Sequence, residues 1–197
     1  MGKVYDHIGG RLRDFVRAQP VFFVATAPTG ADGHINLSPK GTTGSLAILD
    51  EHRVAFLDYT GSGAETIAHL RQNGRIVLMF CAFTGPPTVV RLHGRGEPIF
   101  PADPRFAALT WAFAPPEPGL RSIIAVDVNR ISDSCGYSVP FMDYVGERDL
   151  LSRYNGRKTE AEITEYQVRR NATSLDGLPA VPVSATTQPG RHGAGTG

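Results

Sequence analysis

The hydrophobic pattern opens with Ile8, Leu12, Phe15 and Val16 at helical spacing, which predicts a short amphipathic helix within residues 5–18. Gly9 and Gly10 weaken its first turn. Strand patterns follow. Val21–Ala27 is an apolar run stopped by the turn-forming Pro28-Thr29-Gly30-Ala31-Asp32-Gly33. His34–Ser38, Ser45–Leu49 and Arg53–Tyr59 read as three more strands, the last two joined over Asp50-Glu51-His52. Gly63–Asn73 predicts a helix closed by Asn73-Gly74. Arg75–Phe83 and Thr88–Gly96 are long strands linked through Gly85-Pro86-Pro87. Residues 103–113 carry Phe106, Leu109, Trp111 and Phe113 in a predicted helix. Ser122–Val128 reads as a further strand, and Glu160–Arg170 as the last helix.

Six or more strands with short interspersed helices point to a mainly β, α+β barrel with helices outside. A doubly wound parallel sheet fails on the links. Those at 27–34, 49–53 and 83–88 are far too short for parallel crossovers, which need about a dozen residues. Residues 1–180 are expected to form one domain. From about Val181 the chain turns to Pro, Thr, Ser and Gly, so residues 181–197 are expected as a disordered tail.

Composition narrows the function classes. Twenty Lys plus Arg against 19 Asp plus Glu give a formal charge of +1, so a general nucleic-acid surface is not expected. Cys81 and Cys135 stand far apart, which excludes a disulfide scaffold or a Cys-rich metal site. Cys135 is expected to pack as a small residue. No apolar signal core and no run of membrane-spanning length is visible, so a cytoplasmic protein without a membrane partner is expected. The sequon Asn171-Ala172-Thr173 is read as a chance match. The six histidines are scattered, and no metal site is expected.

Three stretches could carry chemistry. The strand–turn–helix around Tyr59-Thr60-Gly61-Ser62-Gly63-Ala64-Glu65-Thr66 lacks the third glycine and the downstream acid of a dinucleotide fingerprint. As a helix start it could hold a small anion, with Thr60, Ser62 and Thr66 as hydroxyl donors. Equally, Ser62-x-x-Glu65 spells a capping box. Asn36-Leu37-Ser38-Pro39-Lys40-Gly41 predicts a kinked strand end presenting Lys40. Along residues 89–96, alternation sets Arg91, His93 and Arg95 on one face, suited to an acidic ligand or to a solvated or subunit-facing surface.

In this order the stretches resemble the pyridoxamine 5′-phosphate oxidase-related, FMN-binding split-barrel family. The resemblance is carried by residues 22–26, 36–41, 58–63, 70–80 and 91–96 and fades toward residue 145. It implies a six-stranded antiparallel split β-barrel with short flanking helices, forming a homodimer with flavin at the subunit interface. It also implies an FMN-dependent oxidoreductase with an unnamed small-molecule substrate. Asn36 would then be among the cofactor-binding residues, and Ser38, Pro39, Lys40 and Gly41 would lie near the isoalloxazine. Tyr59, Thr60, Ser62, Glu65 and Thr66 would face the ribityl phosphate, and Arg91 would approach from the barrel edge. Where the family's oxidases carry a Ser-Arg-Lys phosphate clamp, this chain reads Ala64-Glu65-Thr66. It also lacks their C-terminal Trp and Arg-Leu-x-Pro ending. A non-catalytic flavin-binding module, or the same barrel holding deazaflavin F420 or haem, stands as the alternative.

Overall fold

The structure is a computed structural model and describes residues 2–182. Most of the expected tail, residues 183–197, lies outside the described residues. The elements run β1 (Val4–Tyr5), α1 (Gly10–Ala18), β2 (Val21–Thr26), β3 (Asn36–Gly41), β4 (Leu46–Ile48), β5 (Arg53–Tyr59) and α2 (Glu65–Asn73). They continue with β6 (Arg75–Cys81), β7 (Thr88–Ile99), α3 (Pro104–Thr110), β8 (Leu120–Cys135), α4 (Leu150–Gly156) and α5 (Glu160–Arg170).

All the strands pair antiparallel in one curled sheet of order β3-β2-β6-β7-β8-β5-β4, with β1 added on β8. This is the expected mainly β split barrel. Six long strands build it, and the two-residue β1 and three-residue β4 bring the sheet to eight. The hairpin over Asp50-Glu51-His52 is present, with Ile48 opposite Val54.

The inward faces explain the barrel. Phe22, Val24, Phe56, Leu78, Phe80, Leu92, Ile124 and Val126 are buried together, and α1 and α2 close the ends with Leu12, Val16, Ile67 and Leu70. The Phe22 ring stands edge-on to Phe56 at 5.6 Å and stacks on Phe80 at 5.5 Å. On the outside, Ala55, Leu57, Ile123 and Ala125 are covered by Phe106 and Leu109 of α3.

Several boundaries shift for physical reasons. Val4 and Tyr5 pair with Ser132 and Ile131, so the first helix begins at Gly10 and not at residue 5. β3 runs through Pro39 to Gly41, because an edge strand tolerates a residue without N–H. β7 likewise runs on through Pro98 to Ile99, beyond the point at which β6 leaves it at Arg95. β8 is 16 residues long, because its polar outward positions after Val128 hide a strand whose inward residue is Ile131. At the His93/Gly94 bulge, a Cβ on Gly94 would come within 2.2 Å of the Asp127 carbonyl oxygen. The α2 helix ends as expected, with Gly74 in the left-handed region (φ 69°).

Candidate functional site

The inward residues of β3 are Asn36, Ser38 and Lys40, with Leu37 and Pro39 on the opposite, exposed side. The Asn36 amide donates to Thr26 Oγ1 and to Thr66 Oγ1, each at 3.1 Å, tying β2, β3 and the start of α2 together. Behind it, Thr26 Oγ1 lies 3.0 Å from Nδ1 of the fully buried His69, whose Nε2 has no partner. Ser38 Oγ is also buried without a partner. At the far end of the row, Lys40 Nζ reaches Asp58 Oδ1 at 3.5 Å.

Asp58 is the electrostatic centre of this region. It is 1 % exposed on β5, and its Oδ2 accepts from Arg121 Nε at 2.8 Å and Ser122 Oγ at 3.1 Å. Burial opposes its ionisation, but the charges of Arg121 and Lys40 and the hydrogen bonds outweigh it and hold the carboxyl below its ordinary range. Arg121 also donates to the Gly63 carbonyl at 3.0 Å, placing a guanidinium beneath the turn that enters α2. Lys40 and Arg121 against Asp58 leave one net positive charge.

The 59–66 turn is covered by the C-terminal segment. Tyr59 Oη accepts from the Glu117 amide at 3.3 Å, and burial raises the phenol's pKa. Thr60 is buried, its carbonyl accepting from Asn155 at 3.2 Å and its hydroxyl from Gln167 at 2.8 Å. Asn171 donates to the Gly61 carbonyl at 3.0 Å and is fully buried, which keeps its sequon inaccessible in the fold. Ser62 is exposed. The capping-box reading of Ser62 and Glu65 does not hold. The N-cap of α2 is Ala64 without a side-chain bond, and the Glu65 carboxylate accepts from the Leu175 amide at 3.1 Å. Arg71 is bonded to the Ala180 carbonyl, and Ala180 and Val181 belong to the core.

The sequence-selected residues therefore divide. Asn36 and Thr66 touch, and Ser38 and Lys40 share their face. Arg91 lies on the outer face, in the row Pro39–Phe23–Met79–Arg91, three strands and roughly 14 Å from β3. Its guanidinium donates to Ser134 Oγ at 3.0 Å. Arg95 turns away to the Asn73 carbonyl at 2.7 Å. Burial and the charges of Arg130 and Arg91 lower the pKa of His93, so the face expected to hold three cations is less charged. Cys135 is exposed, not packed. Asp58, Arg121, His69 and Asn155 were not singled out. A lone carboxylate directly after the apolar run Val54–Leu57 and an arginine two residues before the run at Ile123 were the available signals, since buried charges need partners.

The model of the family described as pyridoxamine 5′-phosphate oxidase matches residues 8–135. The chain belongs to the pyridoxamine 5′-phosphate oxidase family. Within that family it is 38% identical over 192 residues to the family protein ustO of Aspergillus flavus, covering 90% of this chain and 77% of that protein. In fold it resembles the crystal structure of HupZ from Group A Streptococcus, with a TM-score of 0.51 and 22% identity over 64% of this chain and 99% of that one. No described helix is long and apolar enough to cross a membrane. Among the described residues no group of three His, Cys, Asp or Glu side chains is placed to hold a metal ion.

Proposed function

We propose that this family member binds FMN along the inner face of β3 and uses it as a flavin-dependent oxidoreductase. The observation that carries the reading is the row Asn36–Ser38–Lys40. It begins at the α2 N-terminus, ends at a lysine beside a buried carboxylate, and has at its middle the buried Ser38 hydroxyl without a partner. A bound ligand supplies the missing partner. The Asn36 amide, held by two threonines, would orient the cofactor, and Lys40 would set a positive charge beside it. The flavin, when bound, supplies the electron transfer.

The phosphate end differs from the family's clamp. Arg121 brings a cation under the Gly63 turn, and Glu65 is occupied by the Leu175 amide. A homodimer fits the outer face, where Leu37 is 65 % exposed beside the half-buried Phe23 and Met79.

The test is a visible spectrum of the purified protein, identification of any released cofactor by mass, and titration with FMN and with F420. FMN uptake followed by anaerobic bleaching with NADH or NADPH is the expected result. A colourless protein that takes up neither cofactor refutes the flavin reading. Uptake of FMN without reduction or turnover by any donor makes the chain a flavin-binding module. Lys40→Ala is expected to weaken FMN binding or to shift the flavin potential. An unchanged titration and an unchanged potential would remove Lys40 from the site.

A further inference from the structure

Beyond Gly41, at the end of the β3 row, a cleft of about 680 Å³ opens between the C-terminal end of α1, the β3–β4 turn and the β6–β7 turn. Its volume lies within the range of small-molecule sites, about 300–1,000 Å³. Phe15, Phe22, Phe83 and Tyr144 contribute aromatic surface to it, and Met142 a thioether. Among the described residues, Arg17 is its only charged lining residue.

The walls are built and held. Met142 and Tyr144 line the cleft from an irregular segment that is pinned at residues 142 and 147. The Met142 amide donates to the Phe83 carbonyl at 3.1 Å, and the Glu147 carboxylate accepts from the Thr43 amide at 2.6 Å and from the Thr43 hydroxyl. Those hydrogen bonds lower the Glu147 pKa, so the pin is ionised at neutral pH. The wall that segment is tied to is the turn at Thr42, a β-branched residue held at φ 86°, where side chains rarely sit.

Three of the polar side chains along the walls are already used. Thr43 Oγ1 serves Glu147, Ser45 Oγ donates to the Gly41 carbonyl at 3.0 Å, and the Gln19 amide donates to the Phe15 carbonyl at 2.9 Å. What remains is aromatic and aliphatic carbon together with the Thr42 and Thr84 hydroxyls and Arg17. A phosphorylated ligand would meet a single guanidinium there, whereas a flat uncharged ring meets several aromatic side chains and hydroxyls that can hydrogen-bond a neutral group.

The geometry points to this cleft as the binding site of an uncharged aromatic molecule. As the compartment for a substrate of the adjoining β3 site, it rests on the flavin reading; as a binding site, it stands alone.

The experiment titrates the full chain with 1-naphthol, followed by naphthol fluorescence anisotropy, and with pyridoxine 5′-phosphate by calorimetry. Naphthol is expected to bind at one site, at least tenfold more tightly than the phosphate ester. Tyr144 is 56 % exposed, so Tyr144→Ser should fold normally and weaken naphthol about tenfold, whereas Tyr144→Phe keeps the affinity. Tyr137→Ser, an exposed residue outside the cleft, should leave it unchanged. Absence of saturable binding, tighter binding of the phosphate ester, or an affinity untouched by Tyr144→Ser overturns the proposal. FMN is titrated separately. Loss of naphthol binding with FMN uptake intact overturns the cleft alone, and the reverse overturns the flavin reading alone.

Discussion

Replacing Arg121 by methionine keeps much of the side-chain volume but removes the guanidinium that faces Asp58. The carboxylate is 1 % exposed and the arginine 5 %, so no water can take the cation's place without local opening. At an effective dielectric of about 20, a pair at this distance attracts by roughly 6 kcal/mol, and desolvation of both ions offsets much of that. The useful magnitude is the cost of breaking the pair from one side, about 3–5 kcal/mol, because the buried charge left behind has lost its nearest partner. Lys40 offsets only part of that loss, being 3.5 Å away and 24 % exposed. With a urea slope of about 2 kcal/mol per molar, the midpoint should fall by roughly 2 M. Far-UV circular dichroism is the suitable signal, since Trp111, the single tryptophan, is 81 % exposed and reports little on the core.

The pH dependence separates charge from packing. In the parent the Asp58 pKa is lowered, so its stabilising effect is present above the ordinary carboxylate range near pH 4 and is lost as pH falls through the depressed value. In Arg121→Met the desolvation remains and its main opponent is gone, so the Asp58 pKa rises above the unfolded value. The folded variant then takes up a proton that the unfolded chain does not. Its deficit relative to the parent should therefore be largest at pH 7 and should shrink toward pH 4. A deficit below about 1 kcal/mol, or one of several kcal/mol that does not change with pH, would refute the reasoning; the latter would assign the loss to packing.

Two further outcomes test other joints of the fold. Gly94→Ala should destabilise by more than about 2 kcal/mol, because its Cβ would sit 2.2 Å from the Asp127 carbonyl oxygen in the central β7–β8 pair; a thermal melt within a degree or two of the parent would argue against that bulge. Glu65→Gln should weaken the contact to the Leu175 amide by about 1 kcal/mol and speed amide exchange at residues 174–181 about fivefold, with barrel strands unaffected; unchanged protection there would show that other contacts hold the segment.

How much of this was legible depends on how local each signal was. The barrel was readable because inward and outward positions alternate within single strands, and α5 emerged at Glu160–Arg170 as its pattern predicts. The α4 helix was not, for it is seven residues long and buries only Asn155, so no apolar stripe marks it. The site shows the same division. Asn36, Ser38 and Lys40 stand out because proline and glycine punctuate one short segment. Asp58 draws its meaning from Arg121, 63 residues away, and Glu65 from Leu175, 110 residues away. A capping motif is a contest between a nearby partner and a distant one, and at Glu65 the distant amide wins. The same long-range pairing changes the picture of the missing phosphate clamp. On the proposed flavin reading, the cation absent from the α2 start would be supplied from β8, where Arg121 donates to the Gly63 carbonyl. Because Arg121 is tethered to Asp58, the charge it offers is fixed in place, and the turn it supports is locked under Asn155, Gln167 and Asn171. A cofactor that binds here must therefore fit a turn already braced from both sides.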